Sequence, residues 1–90
     1  MSYEWDEEKN RANIIKHHIS FQVAQHVFDD VNRLEIYDSE HSASEDRYIA
    51  IGKVGAVLFV VFTERKDNIR IISARKATSK ERRLYYDGYC

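Results

Sequence analysis

Ala56-Val57-Leu58-Phe59-Val60-Val61-Phe62 is apolar at every position and rich in β-branched and aromatic residues. So short a run of this composition reads as a strand covered on both faces, and it predicts a central place in a sheet. On one side, Thr63-Glu64-Arg65-Lys66-Asp67 leads into Asn68-Ile69-Arg70-Ile71-Ile72-Ser73-Ala74, close enough for a hairpin. On the other, Val54-Gly55 suits a turn from an earlier strand. Strands are therefore expected over residues 33–37, 47–53, 56–64 and 68–74. The short or polar connectors between them, including the acidic loop from Asp38 to Asp46, favour an antiparallel meander.

Helical spacing frames this sheet. Asp6 can cap a helix over residues 7–16, with Glu7 and Glu8 in the first turn and Lys16-His17-His18 at the end, as the macrodipole prefers. Ser20 can cap a second, short helix in which Phe21, Ala24, Val27 and Phe28 recur and Asp29-Asp30 with Asn32 ends it. Thr78-Ser79-Lys80-Glu81 matches a capping box and opens a final helix carrying Leu84, Tyr85 and Tyr86. The order ααββββα makes the class α+β: two N-terminal helices over one face of a four-stranded antiparallel sheet, then a C-terminal helix. Trp5, Phe21, Phe28, Phe59 and Phe62 are expected in the core.

With 90 residues and no proline, linker or repeat, residues 1–90 are expected to form one domain. At 43% hydrophobic and 32% charged, the composition excludes disorder. The lone cysteine, Cys90, cannot make an intrachain disulfide, and acids stand near the N-terminus where a secretory signal would carry bases. The longest apolar run is far short of the ~20 residues that cross a bilayer. These features predict a cytoplasmic protein, neither secreted nor membrane-spanning. His17, His18, His26 and His41 lack zinc-site spacing, and neither GxSxG nor GxxxxGK[ST] occurs, so no metal or cofactor is expected.

Charge is unevenly spread. Residues 1–64 hold 6 Lys and Arg against 12 Asp and Glu, whereas residues 65–90 hold 8 against 3, which turns attention to the basic end. There Arg65, Arg70, Arg75 and Lys76 flank one hairpin. A two-residue Lys66-Asp67 turn would put Arg65 and Arg70 on one face, and a three-residue turn would put Arg65 with Ser73 and Arg75; the sequence does not choose. Arginine forks fit phosphate oxygens. Glu64, Glu81 and the acidic loop can instead neutralise them. Such a cluster can hold a scissile phosphate without a metal while Glu64, His17 or His41 takes the proton of a ribose hydroxyl. Tyr85 and Tyr86, beside Lys80 to Arg83, either stack an unpaired base or dock the helix on its sheet.

Further features are shared with one family. Glu4-Trp5-Asp6-Glu7 with Lys9 and Asn13, Lys16-His17 followed by Ser20-Phe21, Phe28-Asp29-Asp30, Tyr37-Asp38 with His41, Glu45-Asp46-Arg47-Tyr48, Thr63-Glu64-Arg65 and the block from Ile69 to Thr78 together resemble the BrnT family of type II toxins. The resemblance spans almost the whole chain. It implies a RelE-like ribonuclease fold, RNA cleavage that stops translation, and a BrnA-type ribbon-helix-helix antitoxin forming a heteromeric complex that reaches operator DNA only through the antitoxin. By the same resemblance Arg65 and Arg75 are expected to be catalytic and Arg47, Arg70 and Lys76 to hold RNA; residue chemistry adds Glu64 and His17 as catalytic bases and Tyr85 as an RNA contact. His18 stands where a glycine is expected after Lys16-His17, which puts the first interhelical turn in question. The alternative is a non-catalytic binding module or corepressor of a DNA-binding protein, suggested by the small core and near-zero net charge.

Overall fold

The computed structural model describes residues 2–88, so the expectation for Cys90 lies outside the described residues. Asp6 caps α1 (Glu7–His17), its carboxylate accepting from the backbone N–H of Glu8 and Lys9. The helix closes on His18, which takes the left-handed conformation (φ 60°, ψ 29°) and donates its N–H to Ile14 O. That backbone is the one glycine usually supplies at a helix end, so histidine adopts the geometry here at a steric cost of about 1–2 kcal/mol. Ser20 Oγ accepts from Val23 N–H and starts α2 (Phe21–Ala24). The expected second helix is then completed as a 3-10 turn, Gln25–Asp29.

The sheet contains β1 (Ser2–Glu4), β2 (Leu34–Tyr37), β3 (Tyr48–Val54), β4 (Ala56–Arg65) and β5 (Asn68–Lys76), in the order β1-β5-β4-β3-β2. The apolar run lies at the centre, in β4, as its composition implies. The four expected strands form the antiparallel meander, but the sheet has a fifth, β1, pairing parallel to β5 with Tyr3 opposite Ile69. Three residues are too few to show strand alternation, and their partner lies at the far end of the chain. The β3–β4 connection is the single residue Gly55 at φ +71°, a backbone that disfavours a side chain. Gly52 serves another need: a Cβ there would come within 2.8 Å of Val27 Cγ1, so its absence lets the 3-10 turn sit on β3.

One face of the sheet packs Phe62, Val60, Ala50, Ile71 and Ala74 under Phe21, Ala24 and Val27 of the N-terminal helical segment. The other packs Ile51 and Val57 against Ala77 and Tyr85 at α3 (Ser79–Asp87), whose capping box of Thr78 and Glu81 forms as expected. Phe28 is half-buried and meets the Phe62 ring edge-on at 4.9 Å. Three of the expected core aromatics, Phe28 among them, pack against the core from its margin rather than lying inside it. Trp5 is half-buried, edge-on to Phe21, and Phe59 is half-buried on the α3 face because alternation along β4 turns it away from the helices. No helix among the described residues is long and apolar enough to cross a membrane.

Two buried asparagines on α1 tie these layers together. The Asn13 amide donates to Ile19 O and Ala74 O, both at 2.8 Å, and its oxygen accepts from Ala74 N–H at 3.1 Å. β1 pairs β5 only from Asn68 to Arg70, so at Ala74 the Asn13 side chain satisfies an edge that no strand covers. Asn10 accepts from Phe21 N–H and donates to Glu7 and Gln22. At the C-terminal side the Tyr85 hydroxyl donates to Asp30 Oδ2 at 2.5 Å, and the same oxygen accepts from Lys53 N–H at 2.8 Å. Burial opposes ionisation of Asp30, but bonds from Tyr85, Lys53 and Asn32 outweigh it and hold the carboxyl below its usual value. The bond to that carboxylate, then burial, pushes the Tyr85 phenol up to about 12.

Three measurements follow. Asn13→Ala orphans buried backbone groups and should cost about 3 kcal/mol in urea denaturation, at 1–3 kcal/mol per unsatisfied group. His18→Gly should add about 1 kcal/mol by relieving the left-handed cap. Folding raises the Tyr85 pKa, so its contribution is complete below the ordinary tyrosine value of 10.0 and is lost as pH rises towards about 12. A pH series of melts should show that alkaline loss in the wild type and less of it in Tyr85→Phe.

Candidate active site

The β4–β5 hairpin decides which cations meet. Arg65 pairs with Asn68 across the Lys66-Asp67 turn and Thr63 pairs with Arg70, so Arg65 and Arg70 share the face turned away from α1 and α2. Lys66 carries the turn at φ 55°. Further along, Phe62 pairs with Ile71 but Val61 pairs with Ser73, leaving Ile72 as an extra residue, a β-bulge. The bulge resets the alternation. Ser73 and Arg75 therefore join Arg65 and Arg70 on one face, and both arrangements left open by the sequence occur together.

On that face a cleft of about 420 Å³ has an apolar floor of Ile49, Phe59 and Val61, with Arg47 and Arg75 on its walls and Asp38, Glu40 and His41 on the loop above. Arg75 stacks over the Phe59 ring at 3.9 Å and gives two parallel hydrogen bonds to Glu81, at 2.8 and 3.0 Å. Those bonds outweigh burial and hold the Glu81 carboxyl below its usual range. Arg47 differs: its Nε is buried without an acceptor among the described residues. An orphaned guanidinium donor in a cleft costs about 1–3 kcal/mol unless an anion enters to accept it.

His41 stands 2.9 Å through Nδ1 from Asp38 Oδ2. A carboxylate only accepts, so this contact assigns the proton to Nδ1 and leaves Nε2 of the neutral ring as the accepting nitrogen. The loop is pinned locally. Ser42 Oγ donates to Asp38 O at 2.6 Å and accepts Arg47 N–H at 2.9 Å, so one hydroxyl ties the backbones of Asp38 and Arg47 at the two ends of the loop. An imidazole, two guanidinium groups and an apolar platform can take a proton, hold a phosphodiester and support a base or ribose.

The remaining sequence-derived candidates lie elsewhere. Arg65 is six positions along β4 from Phe59, about 20 Å at the usual strand rise, and is exposed with Glu45 3.5 Å away. It shares the face with Arg75 but is too distant to grip the same phosphate. Arg70 pairs with Glu4 of β1 at 3.5 Å. Glu64 faces the helix side, since its partner Ile69 belongs to that core, and by the same alternation Lys76, opposite Leu58, leaves the cleft. His17 ends α1, on the covered side, and Tyr85 is buried against Asp30, so it docks α3 rather than offering an open ring. Of the three candidate bases only His41 lines the cleft. Phe59 and Ser42 were not foreseen as contributors, and the Phe59–Arg75 stack depends on the bulge; the expected neutralisation of these arginines by Glu81 and the acidic loop does occur, at Arg75–Glu81 and Arg65–Glu45, whereas among the described residues Glu64 takes no part in it. Among the described residues no three His, Cys, Asp or Glu side chains are grouped to hold a metal ion.

This arrangement can be set beside known proteins. Residues 5–81 match the family described as "Ribonuclease toxin, BrnT, of type II toxin-antitoxin system". The fold is similar to the crystal structure of the Brucella abortus ribonuclease toxin BrnT, with a TM-score of 0.64 and 25% identity over 88% of this chain and 99% of that one. No curated protein matches the sequence. The family match covers most of the chain and a solved member shares its fold: the chain belongs to the BrnT family of ribonuclease toxins of type II toxin-antitoxin systems.

Proposed function

We propose that the protein is a RelE-like endoribonuclease that cleaves RNA in the Arg47–Arg75 cleft without a metal ion. The observation that carries this reading is the meeting of a buried, acceptor-less Arg47 Nε, an Arg75 guanidinium held on Phe59, and the His41–Asp38 pair around one apolar floor. His41 Nε2 takes the proton of a ribose 2′-hydroxyl. The 2′-oxygen attacks the adjacent phosphorus, the bond from phosphorus to the 5′-oxygen breaks, and the imidazolium passes its proton through a water molecule to the departing alkoxide, which restores the His41 ring. A 2′,3′-cyclic phosphate and a 5′-hydroxyl are left. Arg47 and Arg75 hold the non-bridging oxygens as charge gathers on them, an electrostatic contribution worth roughly 10²–10³ in rate per well-placed donor.

Arg65, with Arg70 and Lys76, then serves RNA outside the cleft by contacting phosphates distant from the scissile one. Cleavage of transcripts in the cytoplasm stops translation. The type II family implies an antitoxin partner; a BrnA-type ribbon-helix-helix protein is the proposed one, neutralising the toxin and carrying the complex to DNA.

Purified His41→Ala, Arg47→Ala and Arg75→Ala should each lose about 10²-fold or more in kcat on a single-stranded RNA. Arg65→Ala should mainly raise KM and flatten the dependence of binding on salt. In cells, expression without antitoxin should arrest growth, and the folded His41→Ala/Arg75→Ala protein should not. A wild type that binds its antitoxin yet leaves RNA intact, with and without ribosomes, would establish the non-catalytic module instead.

A further inference from the structure

We infer that Glu81, on the C-terminal helix, is a positioning residue for cleavage: it clamps one edge of the Arg75 guanidinium so that another edge stays open for the phosphate. The inference rests on the proposed cleavage in the cleft and concerns a residue that does not itself line it.

A guanidinium group presents two edges that can give parallel pairs of hydrogen bonds, the end edge through Nη1 and Nη2 and the side edge through Nε and Nη2. In Arg75 the end edge is filled, Nη1 donating to Glu81 Oε1 at 2.8 Å and Nη2 to Oε2 at 3.0 Å. The second Nη1 hydrogen goes to Lys76 O at 3.2 Å, and one flat face lies on Phe59. Nε–H and the second Nη2–H have no acceptor among the described residues. These two donors form the side edge, whose spacing matches the two non-bridging oxygens of a phosphodiester. The clamp, the carbonyl and the ring together stop the fork from turning.

Glu81 is itself fixed from behind. Its Oε1 also accepts Thr78 N–H at 2.8 Å, and its own N–H donates to Thr78 Oγ1 at 3.2 Å, so the capping box that starts α3 aims the carboxylate at Arg75. A carboxylate beside the arginine weakens its general pull on RNA. The clamp therefore favours fit at the transition state over tight binding of substrate, and its removal should lower kcat while leaving KM equal or smaller.

Glu81 serves helix and arginine together, so the test must separate them. Steady-state cleavage of a short single-stranded RNA is measured with purified wild type, Glu81→Ala, Glu81→Gln, Thr78→Ala and Arg75→Ala, each checked for folding by circular dichroism. Thr78→Ala removes the capping hydroxyl but keeps the backbone N–H that holds Glu81. The expected result is near-wild-type kcat for Thr78→Ala, a loss of about 10²-fold for Glu81→Ala at unchanged or lower KM, and partial rescue by Glu81→Gln, which keeps one acceptor oxygen. An unchanged or raised kcat in Glu81→Ala overturns the inference, the second outcome marking Glu81 as a competitor of substrate. Equal losses in Thr78→Ala and Glu81→Ala also overturn it, by assigning the effect to the helix. A wild type that leaves RNA intact, or Arg75→Ala that cleaves normally, overturns the cleavage reading of the cleft and this inference with it.

Discussion

One extra residue in β5, Ile72, is the constraint on which the cleft depends. Strand alternation is strict, so residues five apart on a regular strand face opposite ways. Without the bulge, Arg70 and Arg75 would stand on different sides of the sheet and Arg75 would point into the helix-covered core. With it, Arg75 comes to rest on Phe59, in line with Ile49 and Val61, and the apolar face of the central strand becomes the floor of a site. A bulge also leaves the ladder locally short of pairing, and such a defect must be held in register from outside.

That hold comes from both sides of Ala74. On one side it pairs with Val60 of β4; on the other, the Asn13 amide takes both its N–H and its carbonyl. Asn13 also bonds Ile19, so one buried side chain couples α1, the start of α2 and the strand residue next to Arg75. Core and site are therefore linked through the backbone of β5. The α3 side is built differently, from a capping box, the Tyr85–Asp30 bond and the Arg75–Glu81 pair. The last of these joins a helix cap to a cleft-lining arginine.

Much of the fold was legible because it rests on local rules. The run from Ala56 to Phe62 announced a central strand, Asp6, Ser20 and Thr78 marked three helix starts, and Val54-Gly55 marked a tight connection. What escaped was non-local. β1 is three residues long and pairs with a strand more than sixty positions away, which no periodicity can reveal. The site was half legible for the same reason. Arginine composition pointed to the last hairpin, but the face Arg75 takes depends on the bulge, and Arg65 and Arg75, on one face, stand about 20 Å apart along the hairpin. Glu64 and His17 were chosen by chemistry alone and fall on the covered side, whereas His41, carrying Asp38 three positions before it, lies at the cleft.

The central claim is that Arg47 and Arg75 grip one phosphodiester, and the most direct measurement observes their Nε–H groups by nuclear magnetic resonance during titration with a single-stranded RNA. Methylation of its 2′-hydroxyls prevents cleavage. The account predicts that the Nε–H signals of Arg47 and Arg75 move together, at the same RNA concentration, and that the open Nε–H of Arg75 becomes protected from exchange with water. If both stay fixed while signals from Arg82 and Arg83 on α3 shift, RNA is held elsewhere and the cleft is not its site.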